Sequence, residues 1–364
     1  MHNIPIVDVQ KQYFSIQAEM ETAVLECLKD GHYIGGKNVA NFEKQLAQYL
    51  GINYCVSCAN GTDALQLALM ALPLPKGSKI MVPAFTYIST AEVAKLLGYE
   101  LVYCDVDIAT FNVTVEHIQS AWQNDIKAII VVHLFGQVCD ITSIENFCTE
   151  KNIFLIEDNA QALGSEKNIQ RNSIITTSFY PTKNLGAYGD GGALFCNNET
   201  LALTIKKMAN HGQTKKYYHE IVGINSRLDT LQAAILQVKL KYLDAANLKR
   251  KNIAAQYQQA LCKIEQIELP VAKNEHIYHQ YTLKIKNNLR DKLRHFLAEQ
   301  QIQTAVHYPL PIYQQQAFYQ ENISLPNSEQ LCNSVLSIPI FPELTHEQIA
   351  YICTSINTFF EQNG

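Results

Sequence analysis

The stretch "SFYPTKNLGAYGDGGALF", Ser178–Phe195, decides how the rest of the chain is read. A β-prone run leads into Lys183, and a loop carrying Gly186, Gly189, Gly191 and Gly192 follows it. Ammonium groups are strongly hydrated and ordinarily decorate surfaces. A lysine held where glycines let the backbone approach something closely is either an ordinary surface residue or an amine kept for chemistry. The stretch is not a P-loop, because G-x-x-x-x-G-K-[ST] is absent, and it lacks the G-x-G-x-x-G of nicotinamide sites.

Outward from Lys183, helix-like and strand-like segments alternate from about residue 20 to 245. "NVANFEKQLAQYLG" is helical and ends on Gly51, "YCVSC" reads as a strand, and "GTDALQLALMAL" is helical again. "SKIMVPAF", "ELVYCDVD", "KAIIVVHLFG", "IFLIED", "IITTSFY" and "GALFCN" are further strand candidates. "TAEVAKLLG", "TVEHIQSAW" and "ITSIENFCTEKN" have helical spacing. This alternation implies an α/β fold whose mostly parallel central sheet is flanked by helices. The run "RLDTLQAAILQVKLKYLDAANLKRKNIAAQYQQAL" reads as one long connecting helix. Beyond it "HQYTLKIK", "LRHFLAEQ" and "VLSIPIF" suggest a smaller α+β unit. The expected division is a large domain over 1–247 and a small C-terminal domain over 248–364.

The 364 residues are 47% apolar and carry a formal charge of -5, with no dense Lys/Arg block, which argues against a nucleic-acid scaffold. "MHNIPIVDVQKQY" lacks the basic flank and apolar core of a secretory signal, and no apolar run is long enough for a bilayer. A cytoplasmic enzyme with no membrane partner is the expectation. The ten cysteines are scattered, and the single C-x-x-C has no second pair, so reduced buried thiols are expected rather than a metal site.

Four stretches fall at carboxyl ends of strands, where open α/β sheets collect ligands. In "ANGTDALQLALMAL" a turn at Asn60-Gly61 opens a helix that Thr62 can cap, leaving N–H groups for a phosphate; an ordinary capped helix fits equally. In "PAFTYIST" the ring of Tyr87 can stack on a flat ligand or fill the core. In "FLIEDNAQALGS", Asp158 ends an apolar strand, where a carboxylate is costly without a cation. A protonated pyridine nitrogen is one such cation, whereas a helix cap and a metal ligand are the alternatives; Gln161 lies one turn on. The fourth stretch offers Ser178 and Lys183. A phosphate seat, a stacking face, an acid for a ring nitrogen and an amine together are what pyridoxal 5'-phosphate requires.

At this point the chain resembles the DegT/DnrJ/EryC1/StrS family of pyridoxal phosphate-dependent sugar aminotransferases over essentially its whole length. The likeness is carried by "GHYIGGKNVANFE", "NGTDAL", "PAFTYIST", "VVHLFGQVCD", "IEDNAQALGS", "SFYPTKNLGAYGDGGAL", "NSRLDTLQAAIL", "HQYTL", "HYPLPIY" and "LSIPIFPEL". It implies the fold type I architecture of these enzymes. It also implies that Lys183 forms the imine with the cofactor, that Asp158 pairs with the pyridine nitrogen, and that Gln161 bonds the ring hydroxyl. By the same likeness Tyr87 stacks, and Gly61, Thr62 and Ser178 bind the phosphate. Asn225 matches the position that reaches the phosphate from the other subunit of a homodimer. Tyr33, Arg227, His307 and Tyr308 are the candidates for touching substrate.

The resemblance implies an amino donor, usually L-glutamate leaving as 2-oxoglutarate, and a nucleotide-linked keto sugar as acceptor. It is strongest to the branch acting on UDP-2-acetamido-2-deoxy-3-oxo-glucuronate, which suits lipopolysaccharide or O-antigen biosynthesis. The branch acting on dTDP-3-keto-6-deoxyhexoses, amination at C4, and sugar dehydration are the alternatives. Relatives that dehydrate carry His where this chain has Lys183. Arg227 could bind a uronate carboxylate or a diphosphate, or instead pair with Asp229 at a helix start. Tyr313 and Phe341 stand where many relatives carry His.

Overall fold

The computed structural model describes residues 3–363, so the first two residues of the segment read for a signal lie outside it. Three helices, α1 (Val9–Ser15), α2 (Gln17–Asp30) and α3 (Gly36–Leu50), precede strand β1 (Tyr54–Cys58). Then follow α4 (Gly61–Ala71), β2 (Lys79–Pro83), α5 (Ser89–Leu96), β3 (Glu100–Cys104), α6 (Val115–Ser120) and β4 (Ile126–Val132). Next come α7 (Ile141–Lys151), β5 (Phe154–Asp158), β6 (Ile174–Ser178), β7 (Gly192–Cys196) and α8 (Glu199–Met208). These seven strands form one sheet in the order β1-β7-β6-β5-β4-β2-β3. Neighbours from β3 to β6 pair in parallel, and β7 runs antiparallel to both β6 and β1.

Side chains alternate across each strand and feed two helix layers. Ile80, Val82 and Ile130 pack with Leu65, Leu67 and Ile205 from α4 and α8 on one face. Met81, Ile129 and Val131 pack with Ile144 and Phe147 of α7 on the other. Fully burying each of these side chains contributes roughly 1.5–3 kcal/mol. The same alternation explains the cysteine pair. Cys55 packs beside the Phe42 and Leu46 cluster of α3, whereas Cys58 joins the α4 side, so the two cannot share a metal. All ten cysteines are free.

A short hairpin, β8 (Gln213–Lys215) and β9 (Tyr218–His219), leads to α9 (Thr230–Leu240) and α10 (Leu243–Leu261). The long helix expected over 227–261 is therefore two. The break at Lys241 and Tyr242 lets both residues reach Glu19 of α2 and lets the halves bury into different cores. Ala233 and Leu236 of α9, with Leu243, pack against α3, whereas Ile253, Tyr257 and Leu261 enter the C-terminal core. A two-residue bend between amphipathic halves barely disturbs the apolar period, which is why the sequence pattern ran through it.

The C-terminal core forms around an antiparallel sheet of β10 (Ile267–Glu268), β11 (Tyr281–Ile285) and β12 (Val335–Ile338). Helix α10 covers it together with α11 (Arg290–Glu299) and α13 (His346–Asn363), while α12 (Pro326–Ser334) packs Leu331 toward the large sheet. Ile4 joins this core by a bridge to Ile302, so both ends of the chain contribute to it.

Adjacent acids on β5 point to opposite sides. Glu157 is fully buried away from the cavity described below, where Arg171 grips it with two bonds of 2.6 Å and His133 Nε2 lies at 3.0 Å. Arg171 also donates to Glu166 at 2.7 Å, so a guanidinium fills the space that His133, Glu157 and Glu166 could otherwise offer a cation. Breaking such a buried pair strands the remaining charge. Glu157→Gln is expected to cost about 3 kcal/mol, read as a lower urea midpoint, without altering the residues of the cavity.

Candidate active site

The carboxyl ends of β1, β2, β5 and β6 open into one cavity of about 750 Å³. Gly61, Thr62, Tyr87, Asp158, Gln161, Ser178 and Lys183 all line it, joined by His307 and Tyr308 from the C-terminal part. Eight of the eleven expected cofactor and substrate positions other than Lys183 thus meet around that lysine on a single chain.

At one end lies the start of α4. Asn60, in extended backbone, caps the helix by accepting from Asp63 N at 2.8 Å. The expected cap, Thr62, is already inside the first turn; its hydroxyl stays available to the cavity. A Cβ on Gly61 would stand 2.6 Å from Ser178 Cβ, and one on Gly192 would stand 2.3 Å from Asn60 O. Glycine is required at both positions because β6 and β7 press directly against the helix start. Thr86 Oγ1, also at the cavity wall, is buried without a partner. Free helix N–H groups, two hydroxyls and an unused Thr86 oxygen fit a phosphate ester.

Deeper in, Asp158 accepts from Ala160 N at 3.0 Å and from Thr90 Oγ1 at 3.4 Å. Burial pushes its pKa up, against the pull of the Ala160 N–H and the Lys183 charge. Among the described residues no cation lies within salt-bridge distance of it, so this carboxylate is set for a positive partner inside the cavity. Lys183 is placed by a tight turn in which its N–H bonds Tyr180 O at 2.8 Å. Desolvation lowers its amine pKa to about 8, partly countered by Asp158. The donor set fits pyridoxal phosphate: an anion seat, a buried acid and an amine of lowered pKa line the same cavity.

Gln161 is locked by two contacts. Its Oε1 accepts from Phe135 N at 2.8 Å, which turns Nε2 toward the cavity and Tyr308 Oη at 3.3 Å. Tyr87 is 54% exposed, so its ring is cavity wall rather than core filler, and it lies 6.2 Å from the Tyr308 ring. His307 is bonded to Ser337 Oγ at 2.9 Å, and burial with the nearby Lys183 charge lowers its pKa to about 4.

Three expected positions do not reach this cavity on their own chain. Tyr33 is 53% exposed on the surface. Asn225 is exposed beyond the hairpin, bridged to Asn210. Arg227 donates to Asn210 Oδ1 at 3.1 Å and keeps Nε buried without a partner; it makes no ion pair with Asp229 among the described residues. Tyr313 bonds Glu329 and Phe341 is fully buried in the C-terminal core, so neither lines the cavity. His279, Gln280 and Thr86 were not singled out from the sequence. The signal for His279 and Gln280 was their place in "HQYTL", immediately before and into the apolar strand "YTLKI".

A buried lysine with a lowered pKa destabilises the protein wherever it must stay charged, below about pH 8, and the cost fades as pH rises from there toward 10.5. Cofactor-free Lys183→Met protein is therefore expected to melt higher than wild type at pH 7, with the gap closing above pH 8. Gly61→Ala should weaken pyridoxal phosphate binding about ten-fold or more, measured by absorbance titration, because the new methyl displaces Ser178.

The DegT/DnrJ/EryC1/StrS aminotransferase family model matches residues 15–357. The chain is 39% identical to the UDP-2-acetamido-2-deoxy-3-oxo-D-glucuronate aminotransferase of Pseudomonas aeruginosa, over 97% of this chain and 99% of that protein. It is also 39% identical to the dTDP-3-amino-3,6-dideoxy-alpha-D-galactopyranose transaminase of Aneurinibacillus thermoaerophilus, over 98% and 99%. Among solved structures, S. venezuelae DesV in complex with a ketimine intermediate superimposes with a TM-score of 0.96 at 32% identity, covering 99% of each chain. With a cavity built for that cofactor and a family match over nearly its whole length, this chain belongs to the DegT/DnrJ/EryC1/StrS family of pyridoxal phosphate-dependent aminotransferases.

Proposed function

We propose that this aminotransferase moves an amino group from L-glutamate to C3 of a nucleotide-linked keto sugar, a UDP-2-acetamido-2-deoxy-3-oxo-hexose or -hexuronate. The observation that carries the chemistry is the shared cavity, which a buried acid and a lysine of pKa about 8 both line. The Pseudomonas relative, named for a 3-oxo-glucuronate, supports the sugar. A second reading, a dTDP-linked 3-keto-6-deoxyhexose, is supported by the Aneurinibacillus relative at the same identity.

Pyridoxal phosphate, when bound, supplies the electron sink that makes the donor's Cα–H acidic. The chain does the rest. Gly61, Thr62 and Ser178 would hold the phosphate, Tyr87 would cover one ring face, and Gln161 Nε2 would face the ring hydroxyl. Asp158, ionised once it has a cationic partner, would keep the ring nitrogen protonated. Lys183 Nζ would accept the proton from the donor's Cα and return it two atoms along, beyond the amino nitrogen, first as base and then as acid. An amine with a pKa of about 8 serves both roles near neutral pH, whereas an ordinary lysine near 10.5 is a poor base there. His307 and Tyr308 are read as contacts to the sugar nucleotide.

Tyr33, Asn225 and Arg227 lie outside their own cavity, and this supports a homodimer in which a second copy contributes them. The hairpin and the loop after it, leading to Asn225 and Arg227, expose Tyr217, Tyr218 and Val222, an apolar surface suited to burial against another chain. The product would serve surface polysaccharide such as lipopolysaccharide, made in the cytoplasm. Among the described residues, no helix is long and apolar enough to cross a membrane.

Three results test these readings. Lys183→Ala should abolish transamination, and retained turnover removes the proposed role. Refolding Lys183→Ala chains together with Asn225→Ala/Arg227→Ala chains should recover about a quarter of wild-type activity, since half the dimers then hold one intact site. No recovery would mean sites confined to one chain. A panel of nucleotide amino sugars run in reverse with 2-oxoglutarate should favour UDP-linked 3-amino sugars; preference for a dTDP-linked one selects the second reading.

A further inference from the structure

The turn Ala59-Asn60-Gly61, which opens α4, is held from two sides. On one side β6 and β7 press against it through Ser178 and Gly192. On the other there is no strand, because β1 lies at the edge of the large sheet. The last pair of β1 is Cys58 with Gly192, and the N–H of the next residue, Ala59, donates to Ser226 Oγ at 3.1 Å. Unpaired N–H groups at a sheet edge are met by water or covered by another segment. Here the cover is a single hydroxyl from 167 residues further along the chain.

Ser226 is itself fixed in place. It is fully buried, and its own N–H donates to Ala209 O at 2.9 Å, just past the end of α8. Ile224 N bonds Met208 O at 2.8 Å and His211 N bonds Ile224 O at 2.9 Å, so the segment is stitched to that helix end. Gly223 permits the approach, since a Cβ there would stand 2.4 Å from Met208 O. Helix α8 in turn packs Ala202 and Ile205 with Leu65 and Leu67 of α4. The acceptor therefore belongs to the same packed layer as the helix whose start it touches. Ser226 does not line the cavity, and its neighbours Asn225 and Arg227 are held on Asn210.

We propose that Ser226 is a positioning residue for the phosphate seat: by holding the Ala59 N–H it fixes where the N–H groups of Gly61 and Thr62 point. A helix start binds an anion through a few N–H groups aimed at one place, and each such bond weakens steeply when misdirected. Asn60 alone separates Ala59 from Gly61, so a rotation at Ala59 passes directly to those donors. Without the hydroxyl, the Ala59 N–H must find another partner, and the turn relaxes toward the side where no strand stops it. This inference rests on the reading of Gly61, Thr62 and Ser178 as the seat of the phosphate.

The test compares pyridoxal phosphate with pyridoxal, which lacks the phosphate, by absorbance titration of the full cofactor-free chain. Ser226→Ala should weaken pyridoxal phosphate binding about ten-fold and leave pyridoxal binding unchanged, because Asp158 and Lys183 are untouched. Ser226→Cys, which nearly keeps the volume but accepts hydrogen bonds poorly, should behave the same way. Amide exchange at Ala59 and Thr62 should quicken about ten-fold in both variants, which reports on the turn of the same chain. Equal losses for the two ligands, wild-type affinity in either variant, or unchanged exchange at Ala59 with only a lower Tm overturns the inference. Ser178→Ala checks the reading beneath: it should weaken pyridoxal phosphate and spare pyridoxal, and sparing both would place the phosphate elsewhere.

Discussion

The structure turns on a carboxylate and an amine buried at the walls of the same cavity. Asp158 is raised in pKa by burial and Lys183 is lowered by it, and each partly relieves the other. Neither finds a full partner in the protein. This shared deficit is what a cationic ring nitrogen and an aldehyde can satisfy, and it explains why both groups tolerate a site that costs stability.

The rest of the large sheet serves to hold that pair. Parallel strands deliver their carboxyl ends to one edge, so residues far apart in sequence, from Gly61 to Ser178, come together without long loops. Glycines at 61 and 192 let strand and helix start touch, which brings backbone N–H groups to the place where a phosphate would sit. On the opposite side of β5, Glu157 is tied to Arg171 and His133. That buried pairing anchors the strand whose next residue is Asp158, so a structural acid and a chemical acid share one backbone segment and differ only in the face they point to.

The cavity is completed from beyond the large sheet. His279, Gln280, His307 and Tyr308 arrive from the C-terminal part through the contact between Phe135–Val138 and Glu275–Gln280. Helix α10, shared by both cores, ties this part to α3 and α9.

Much of this was legible in the residue order. Strand and helix periods revealed the α/β layering, and the glycines around Lys183, with Asp158 at a strand end, exposed the cofactor chemistry, because those signals are local in the chain. The bend at Lys241–Tyr242 was invisible, since two amphipathic halves share one apolar period. The helix cap at Asn60 rather than Thr62 depended on a single residue's backbone angles. Only the folded chain could show that Tyr33, Asn225 and Arg227 miss their own cavity, or that buried hydrogen bonds tie His279 through Asn184 and Asn247 to the Leu163 carbonyl. Those are matters of distance between segments well separated in the chain, and no one-dimensional pattern carries them.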